Sequence, residues 1–272
     1  MVKPRKYGAR VGRLRNRLSE RDLAVLTILQ RVRLTSLRQL QRLLVTDGSP
    51  AARTRRAQLL MTRLTELGLV TRFSRVIGGV RAGSSGFIYG LSGLGQAVLD
   101  IDAPRRRVWE SKPYFQDHML ATTELYVQLV EQHRLGEGDL LAFDAEPAAW
   151  RHFTDKYNKL VMIKPDAYAR VGTPTTERST FIEVDMGTET IPTLKKKSQR
   201  YIDYWRSGVE QQFRGVFPKV TWLVKDSTRA ERVTSMLRKL ASDAHELFEV
   251  GLLTDGPRLL GGGQSEQTGA AA

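Results

Sequence analysis

The chain has 272 residues, 41% of them hydrophobic, no cysteine and a formal net charge of +14. The length admits two modest domains, the lack of cysteine excludes disulfides and thiolate metal sites, and no apolar run is long enough to span a membrane. The first residues form an Arg/Lys segment without a signal-type apolar core, so a cytoplasmic protein with no membrane partner is expected.

The charge is unevenly placed. Residues 1–112 hold 23 Lys+Arg against 7 Asp+Glu, a balance of +16, whereas the remaining 160 residues hold 20 against 22, a balance of −2. A basic half joined to a near-neutral half implies that one part finds a polyanion while the other does different work.

Residues 1–18 carry Lys3, Arg5, Lys6, Arg10, Arg13, Arg15 and Arg17 among few apolar side chains, the composition of a disordered basic arm. Ser19-Glu20-Arg21-Asp22 has the form of a capping box and opens a first helix, whose apolar stripe is Leu23, Val25, Leu26, Ile28 and Leu29. A second helix follows Thr35-Ser36, with Leu37, Leu40, Leu43 and Leu44 at helical spacing. After the breaker Asp47-Gly48-Ser49-Pro50, a third helix is expected over about 52–67. Ala57, Leu60, Leu64 and Leu67 form its apolar face, Arg55, Gln58 and Thr62 project from the opposite one, Arg56 and Arg63 flank it, and Gly68 ends it. Two strand-like runs, 69–73 and 87–91, are joined by a Gly- and Arg-rich loop.

Three helices followed by a two-stranded ribbon with a basic loop is the order of a winged helix-turn-helix over 19–100. The phrase Leu64-Thr65-Glu66-Leu67-Gly68-Leu69-Val70 resembles the end of the recognition helix in many bacterial winged-helix domains. That resemblance implies that the third helix enters the major groove of double-stranded DNA and that Arg75 and Arg81 touch backbone or minor groove. Winged helices often dimerise, which makes a homodimer one expectation. Residues 101–113, with Pro104-Arg105-Arg106-Arg107, read as a linker, and 256–272 as a disordered tail.

From 114 to 255 helical and strand patterns alternate: a helix at about 116–133, strands at 139–145, 160–171 and 179–187, a helix at 191–206, a strand at 217–225, a helix at 228–242 and a strand at 247–253. Alternation of this kind predicts an α/β domain around a central mixed sheet, and an α+β chain overall. Lys164-Pro165-Asp166 closes one apolar run and Ile182-Glu183-Val184-Asp185 the next. Pairing Val171 with Ser179 across the turn places Asp166 opposite Val184, with Glu183 and Asp185 on either side and sharing a face. Carboxylates gathered on adjacent strands repel one another. A divalent cation relieves that repulsion, and Mg²⁺ or Mn²⁺ needs only one or two carboxylates plus water. On the following helix Lys195 and Lys197 border the buried stripe of Ile191, Leu194, Ser198, Tyr201, Ile202 and Trp205, so a lysine can lie over the sheet toward the carboxylates. There it could stabilise phosphate charge or orient an attacking water.

Pro165-Asp166, then Glu183-Val184-Asp185 after an interval of sixteen residues, resembles the PD-(D/E)xK nuclease superfamily. Joined to the winged helix, and with Ile182-Glu183-Val184-Asp185-Met186-Gly187-Thr188-Glu189 followed by Lys197 and Tyr201, the chain resembles the actinobacterial replication-relaxation family of plasmids and integrated elements. The resemblance implies metal ligation by Asp166 and Glu183, catalytic contributions from Asp185 and Lys197, and an auxiliary acid at Glu124. It also implies partners among replication or mobilisation proteins. Where the superfamily places its lysine, two residues after the acid, this chain has Asp185. Two functions are consistent with that departure. One is a metal-dependent DNA endonuclease or nickase whose lysine has moved to the following helix. The other is a non-catalytic replication initiator or transcription regulator with a degenerate nuclease fold.

Overall fold

A computed structural model describes residues 4–73, 87–102, 113–173 and 175–261. The chain folds as two units, Met1–Val127 and Gln128–Ala272. The division falls inside a 23-residue helix rather than in the Pro- and Arg-rich stretch expected to be the linker, residues 103–112 of which lie outside the described residues.

In the first unit, the arm expected to be disordered contains a helix, α1 (Pro4–Arg15). Val11 is buried and Leu14 half-buried on it, a short apolar stripe that the surrounding arginines conceal in the composition. Ser19 and Asp22 form the expected capping box at the start of α2 (Glu20–Val32), with Ser19 N–H donating to Asp22 Oδ2 at 2.8 Å and Asp22 N–H to Ser19 Oγ at 3.2 Å. A short strand β1 (Leu34–Ser36) leads into α3 (Leu37–Leu44), opened by a second capping box between Ser36 and Gln39. Helix α4 (Pro50–Glu66) is capped by Ser49, with Pro50 at its first position, where a missing N–H costs nothing. Ala57, Met61 and Leu64 are its buried positions, and Gly68 follows it at φ 72°, the left-handed conformation that a glycine adopts without strain.

The ribbon strands are β2 (Val70–Phe73) and β3 (Ile88–Leu91), and β1 completes an antiparallel sheet in the order β1-β3-β2. Helix α5 (Gly93–Leu99) follows. The first turns of α6 (Pro113–Leu135) close this core: Met119 and Leu120 pack with Leu34 and Ile88, and Thr123 Oγ1 donates to Leu34 O at 2.7 Å.

The second unit is mixed α/β around a five-stranded mixed sheet. Its strands are β4 (Asp139–Ala145), β7 (Ala167–Gly172), β8 (Glu177–Asp185), β9 (Lys219–Val224) and β10 (Phe248–Leu252), in the order β10-β9-β8-β7-β4. β4, β7 and β8 pair antiparallel, whereas β8, β9 and β10 pair parallel. The single strand expected over 160–171 is broken at Lys164-Pro165-Asp166. Its first part, β6 (Leu160–Ile163), instead pairs with β5 (Arg151–Thr154) in a separate hairpin. Pro165 has no N–H to give a central ladder, which accounts for the break.

Helices α7 (Ile191–Ser207), α8 (Val209–Arg214), α9 (Ser227–Leu237) and α10 (Gly256–Leu260) complete the unit. Residues expected to begin the disordered tail thus form α10, which buries Leu259 and Leu260. The core joins Phe181, Tyr168 and Trp222 of the sheet to Leu194, Tyr201 and Tyr204 of α7 and to Val233 and Met236 of α9. Among the described residues, no helix is long and apolar enough to cross a membrane.

Candidate functional site

The strand carrying the predicted acids, β8, is flanked on both edges, and every residue from Thr180 to Asp185 is buried. The β7–β8 register differs by one residue from the one expected. Val171 pairs with Arg178 and the ladder ends at Ala167–Ile182, so the next position on β8 is Glu183. The turn between the strands is a tight one held by Thr173 N–H donating to Thr176 O at 2.7 Å, one residue shorter than the span assumed from composition. Asp166 lies just beyond the last rung. Its N–H donates to Ile182 O at 3.0 Å, and its Oδ2 accepts the N–H of Val184 at 2.7 Å.

Alternation along β8 puts Phe181, Glu183 and Asp185 on the face covered by α7 and α9. Glu183 is 1% exposed and accepts two hydrogen bonds from one helix: Lys197 Nζ reaches Oε2 at 3.0 Å and Tyr201 Oη reaches Oε1 at 2.6 Å. Lys197 and Tyr201 are four residues apart and therefore project from the same side of α7. Lys197 also lies 3.5 Å from Glu189 Oε1, and its ammonium sits 5.8 Å from the centroid of the Trp222 ring.

A carboxyl group in this place is strongly perturbed. Burial raises Glu183 and the Asp166 charge raises it further; Lys197 and the Tyr201 hydroxyl pull the other way, and the balance stands at about 7. Lys197 is raised above the ordinary lysine range: burial opposes its charge, but Glu183, Asp166 and Glu189 together outweigh that. Tyr201 is held well above the ordinary phenol range by burial and by Glu183.

Asp166, Glu183 and Lys197 are thus brought together as predicted. Asp185 shares their face, but its carboxylate is engaged separately. It is 3% exposed, Oδ2 accepts Arg229 Nε at 2.6 Å, and Oδ1 accepts Gly187 N–H at 2.8 Å. Arg229 also donates to Glu189 O at 2.6 Å. Glu124, the auxiliary acid implied by resemblance, is bound by Arg42 and by Gln39 Nε2 at 3.0 Å within the first unit.

Tyr201, four residues after Lys197 on α7, carries a visible signal for supporting that lysine, and the structure sets its hydroxyl on Glu183. Glu189 and Arg229 had none, because nothing local in a sequence says that a helix 44 residues further on delivers a guanidinium to Asp185.

On α4 the predicted DNA-facing side chains divide. Arg55, Gln58 and Thr62 are exposed. Arg63 instead binds both oxygens of the fully buried Asp22, at 2.5 and 2.6 Å, and Arg56 donates to Asp47 O and to Ala52 O, so both fasten α4 to its surroundings. The partnership with Arg63 holds the Asp22 carboxyl below its usual range even though burial alone would raise it. Arg75 and Arg81 lie outside the described residues.

Among the described residues no group of three or more His, Asp or Glu is arranged to hold a metal ion. Asp166, immediately before β7, and Glu183, on β8, are hard oxygen donors, the ligand type that Mg²⁺ and Mn²⁺ take.

A mixed five-stranded sheet bearing buried acids on its central strand, with a lysine from the next helix set on one of them, defines the second unit as an α/β domain with a carboxylate–lysine centre. The chain belongs to the replication-relaxation family, whose model matches residues 26–220. No curated protein and no solved structure matches it.

Proposed function

We propose that this protein binds double-stranded DNA through α4 of a winged-helix first unit and hydrolyses a phosphodiester in a PD-(D/E)xK-like second unit, as an endonuclease or nickase in the replication or mobilisation of a plasmid-like element. Such a role places it in the cytoplasm, beside other replication or mobilisation proteins. The observation that carries the proposal is the 3.0 Å contact of Lys197 with Glu183. It supplies from α7 the cation that the superfamily motif expects two residues after the acid, where this chain has Asp185.

Asp166 and Glu183 would hold Mg²⁺ or Mn²⁺, which when bound supplies a Lewis acid and a water of lowered pKa. Tyr201 fixes one oxygen of Glu183 and leaves its rotamer little freedom. Lys197 keeps its proton throughout the neutral range and so presents a fixed positive charge to a phosphate oxygen. The exposed Arg55, Gln58 and Thr62 have the chemistry to contact base edges and phosphates.

Supercoiled plasmid incubated with Mg²⁺ or Mn²⁺ tests this. Conversion to open-circle or linear DNA by the wild type, lost in Asp166→Ala and in Glu183→Ala, is the expected result. Absence of cutting by all three proteins, with DNA binding intact, rules out the nuclease.

One observation favours a second function, a non-catalytic initiator or regulator. Both oxygens of Glu183 are already bound by side chains of α7, an arrangement that can also serve as a buried structural pair. Plasmid binding without cleavage, on DNA carrying the element's own origin, is its signature.

A further inference from the structure

The hairpin β5–β6 ends in a tip whose composition and rigidity are not explained by the fold. Its backbone is locked by Asp155. Asp155 Oδ1 accepts the N–H groups of Tyr157 and Lys159 at 2.9 Å each, Asp155 N–H donates to Lys159 O at 2.9 Å, and Asn158 N–H donates to Asp155 O at 2.9 Å. Asn158 takes φ 60°, which Asn tolerates better than most residues. On this fixed turn Tyr157 is 78% exposed and Leu160 69% exposed, and Lys156 Nζ lies 5.0 Å from the centroid of the Tyr157 ring. The other end of the hairpin is anchored: Phe153, Val161 and Ile163 belong to the core that holds Leu194 and Tyr201 of α7.

Charge selects the partner. Residues 150–164 contain Arg151, Lys156, Lys159 and Lys164 against Asp155 alone, and the Asp155 carboxylate is turned inward onto backbone N–H groups. Helix α7, on which the hairpin packs, contains Lys195, Lys196, Lys197, Arg200 and Arg206 against Asp203. The half of the chain that holds both segments has a balance of −2, so positive charge is concentrated here against the trend of its surroundings. Paired lysines beside a preset aromatic face match a polyanion that offers flat rings. In a closed duplex those rings are already stacked, so the match is to unpaired bases.

We propose that the hairpin tip is a second nucleic-acid contact, specific for unpaired DNA, in which Tyr157 stacks on a base while Lys156 and Lys159 hold the flanking phosphates. This contact is distinct from α4 and independent of cleavage at Asp166 and Glu183. It fits the melted or nicked DNA on which a replication-relaxation protein would work.

The test is binding of the full chain, without divalent metal, to a fluorescent single-stranded oligonucleotide and to a blunt duplex. Tyr157→Ala should weaken single-strand binding about 5- to 100-fold, while Tyr157→Trp keeps it and shows quenched indole fluorescence on binding. Duplex affinity should stay unchanged in both. Lys156→Ala with Lys159→Ala should weaken single-strand binding and flatten its salt dependence by about 1 to 1.5 in log–log slope. An unchanged single-strand affinity in Tyr157→Ala overturns the proposal, and so does an equal loss for both DNA forms. Unfolding temperatures within error of wild type exclude misfolding as the cause, and repeating the comparison in a Glu183→Ala background separates this contact from the proposed cleavage site.

Discussion

Lys197 and Glu183 lie fourteen residues apart and meet at 3.0 Å, the lysine from α7 and the acid from near the C-terminal end of β8. Hydrogen bonds to a charged group contribute about 1.5–3 kcal/mol each, and the buried Glu183 carboxylate has two, from Lys197 and Tyr201. Under the proposed function, Lys197→Met is therefore expected to abolish metal-dependent nicking while leaving duplex binding by α4 intact. Because the lysine lowers the Glu183 pKa, its loss should also destabilise the fold more in mild alkali than in mild acid. Tyr201→Phe should cost about 1–3 kcal/mol by leaving a buried oxygen short of a donor. Chemical denaturation of both variants at two pH values, with gel-shift and nicking assays on the same preparations, checks these outcomes.

The pH dependence of wild-type stability follows from the same carboxyl. Glu183 titrates at about 7 in the folded protein against about 4.3 for an unperturbed glutamate. Between those values the folded state carries a proton that the unfolded state has lost. The contribution of this group is thus fully present below about pH 4 and falls as pH rises through 7, by up to about 4 kcal/mol. Urea titrations in EDTA across that window should show the decline, and Glu183→Gln should flatten it. A proton-independent wild type would place Glu183 in a much wetter site than its 1% exposure indicates.

If Asp166 and Glu183 hold a divalent cation, Mg²⁺ or Mn²⁺ stabilises the folded chain by mass action, most strongly above pH 7 where the metal no longer competes with a proton. Thermal unfolding with and without the ion should show an upward shift in wild type and none in Asp166→Ala. That readout does not depend on cleavage.

Arg229→Ala takes the guanidinium from Asp185, 3% exposed, and an uncompensated buried charge of this kind costs about 3–5 kcal/mol. Asp185→Asn keeps the Gly187 contact and is expected to cost less. If Arg229→Ala unfolds at the wild-type temperature, the pair is ornamental.

Arg63→Ala separates a structural from a DNA-contacting role on α4. Its partner Asp22 is buried, while Arg63 itself is half exposed, which limits the expected loss to about 1–3 kcal/mol. Arg55→Ala should leave stability unchanged and weaken duplex binding. Differential scanning calorimetry beside anisotropy with labelled duplex distinguishes them.

Much of the architecture was legible because its signals are local. Ser19 and Asp22 announced α2, Ser49-Pro50 and Gly68 bracketed α4, and the alternation of apolar runs gave the five strands of the main sheet. The closeness of Asp166 to Glu183 and the border position of Lys197 were also readable, from strand alternation and the helical wheel. What escaped depended on geometry that the chain does not spell locally. Pro165 divides a run read as one strand into β6 and β7, and the tightness of the Thr173–Thr176 turn set the register one residue away from the expected one. Arg63 looked like a DNA contact because its exposure is visible in the pattern, whereas the burial of Asp22, 41 residues earlier, is not.

The turn at Thr173–Thr176 has a consequence at the far end of its hairpin. Six rungs separate it from Asp166, about 20 Å at the rise of a β-strand. Side chains on a strand alternate with a period of two, so inserting or deleting one residue in that turn would slide β7 against β8 and send the Asp166 carboxylate to the opposite face of the sheet. The hairpin could retain its hydrogen bonds and much of its stability, yet the acid pair would be dismantled. The turn therefore acts as a gauge block: four residues, with no catalytic atom among them, set the spacing of two carboxylates that they never touch.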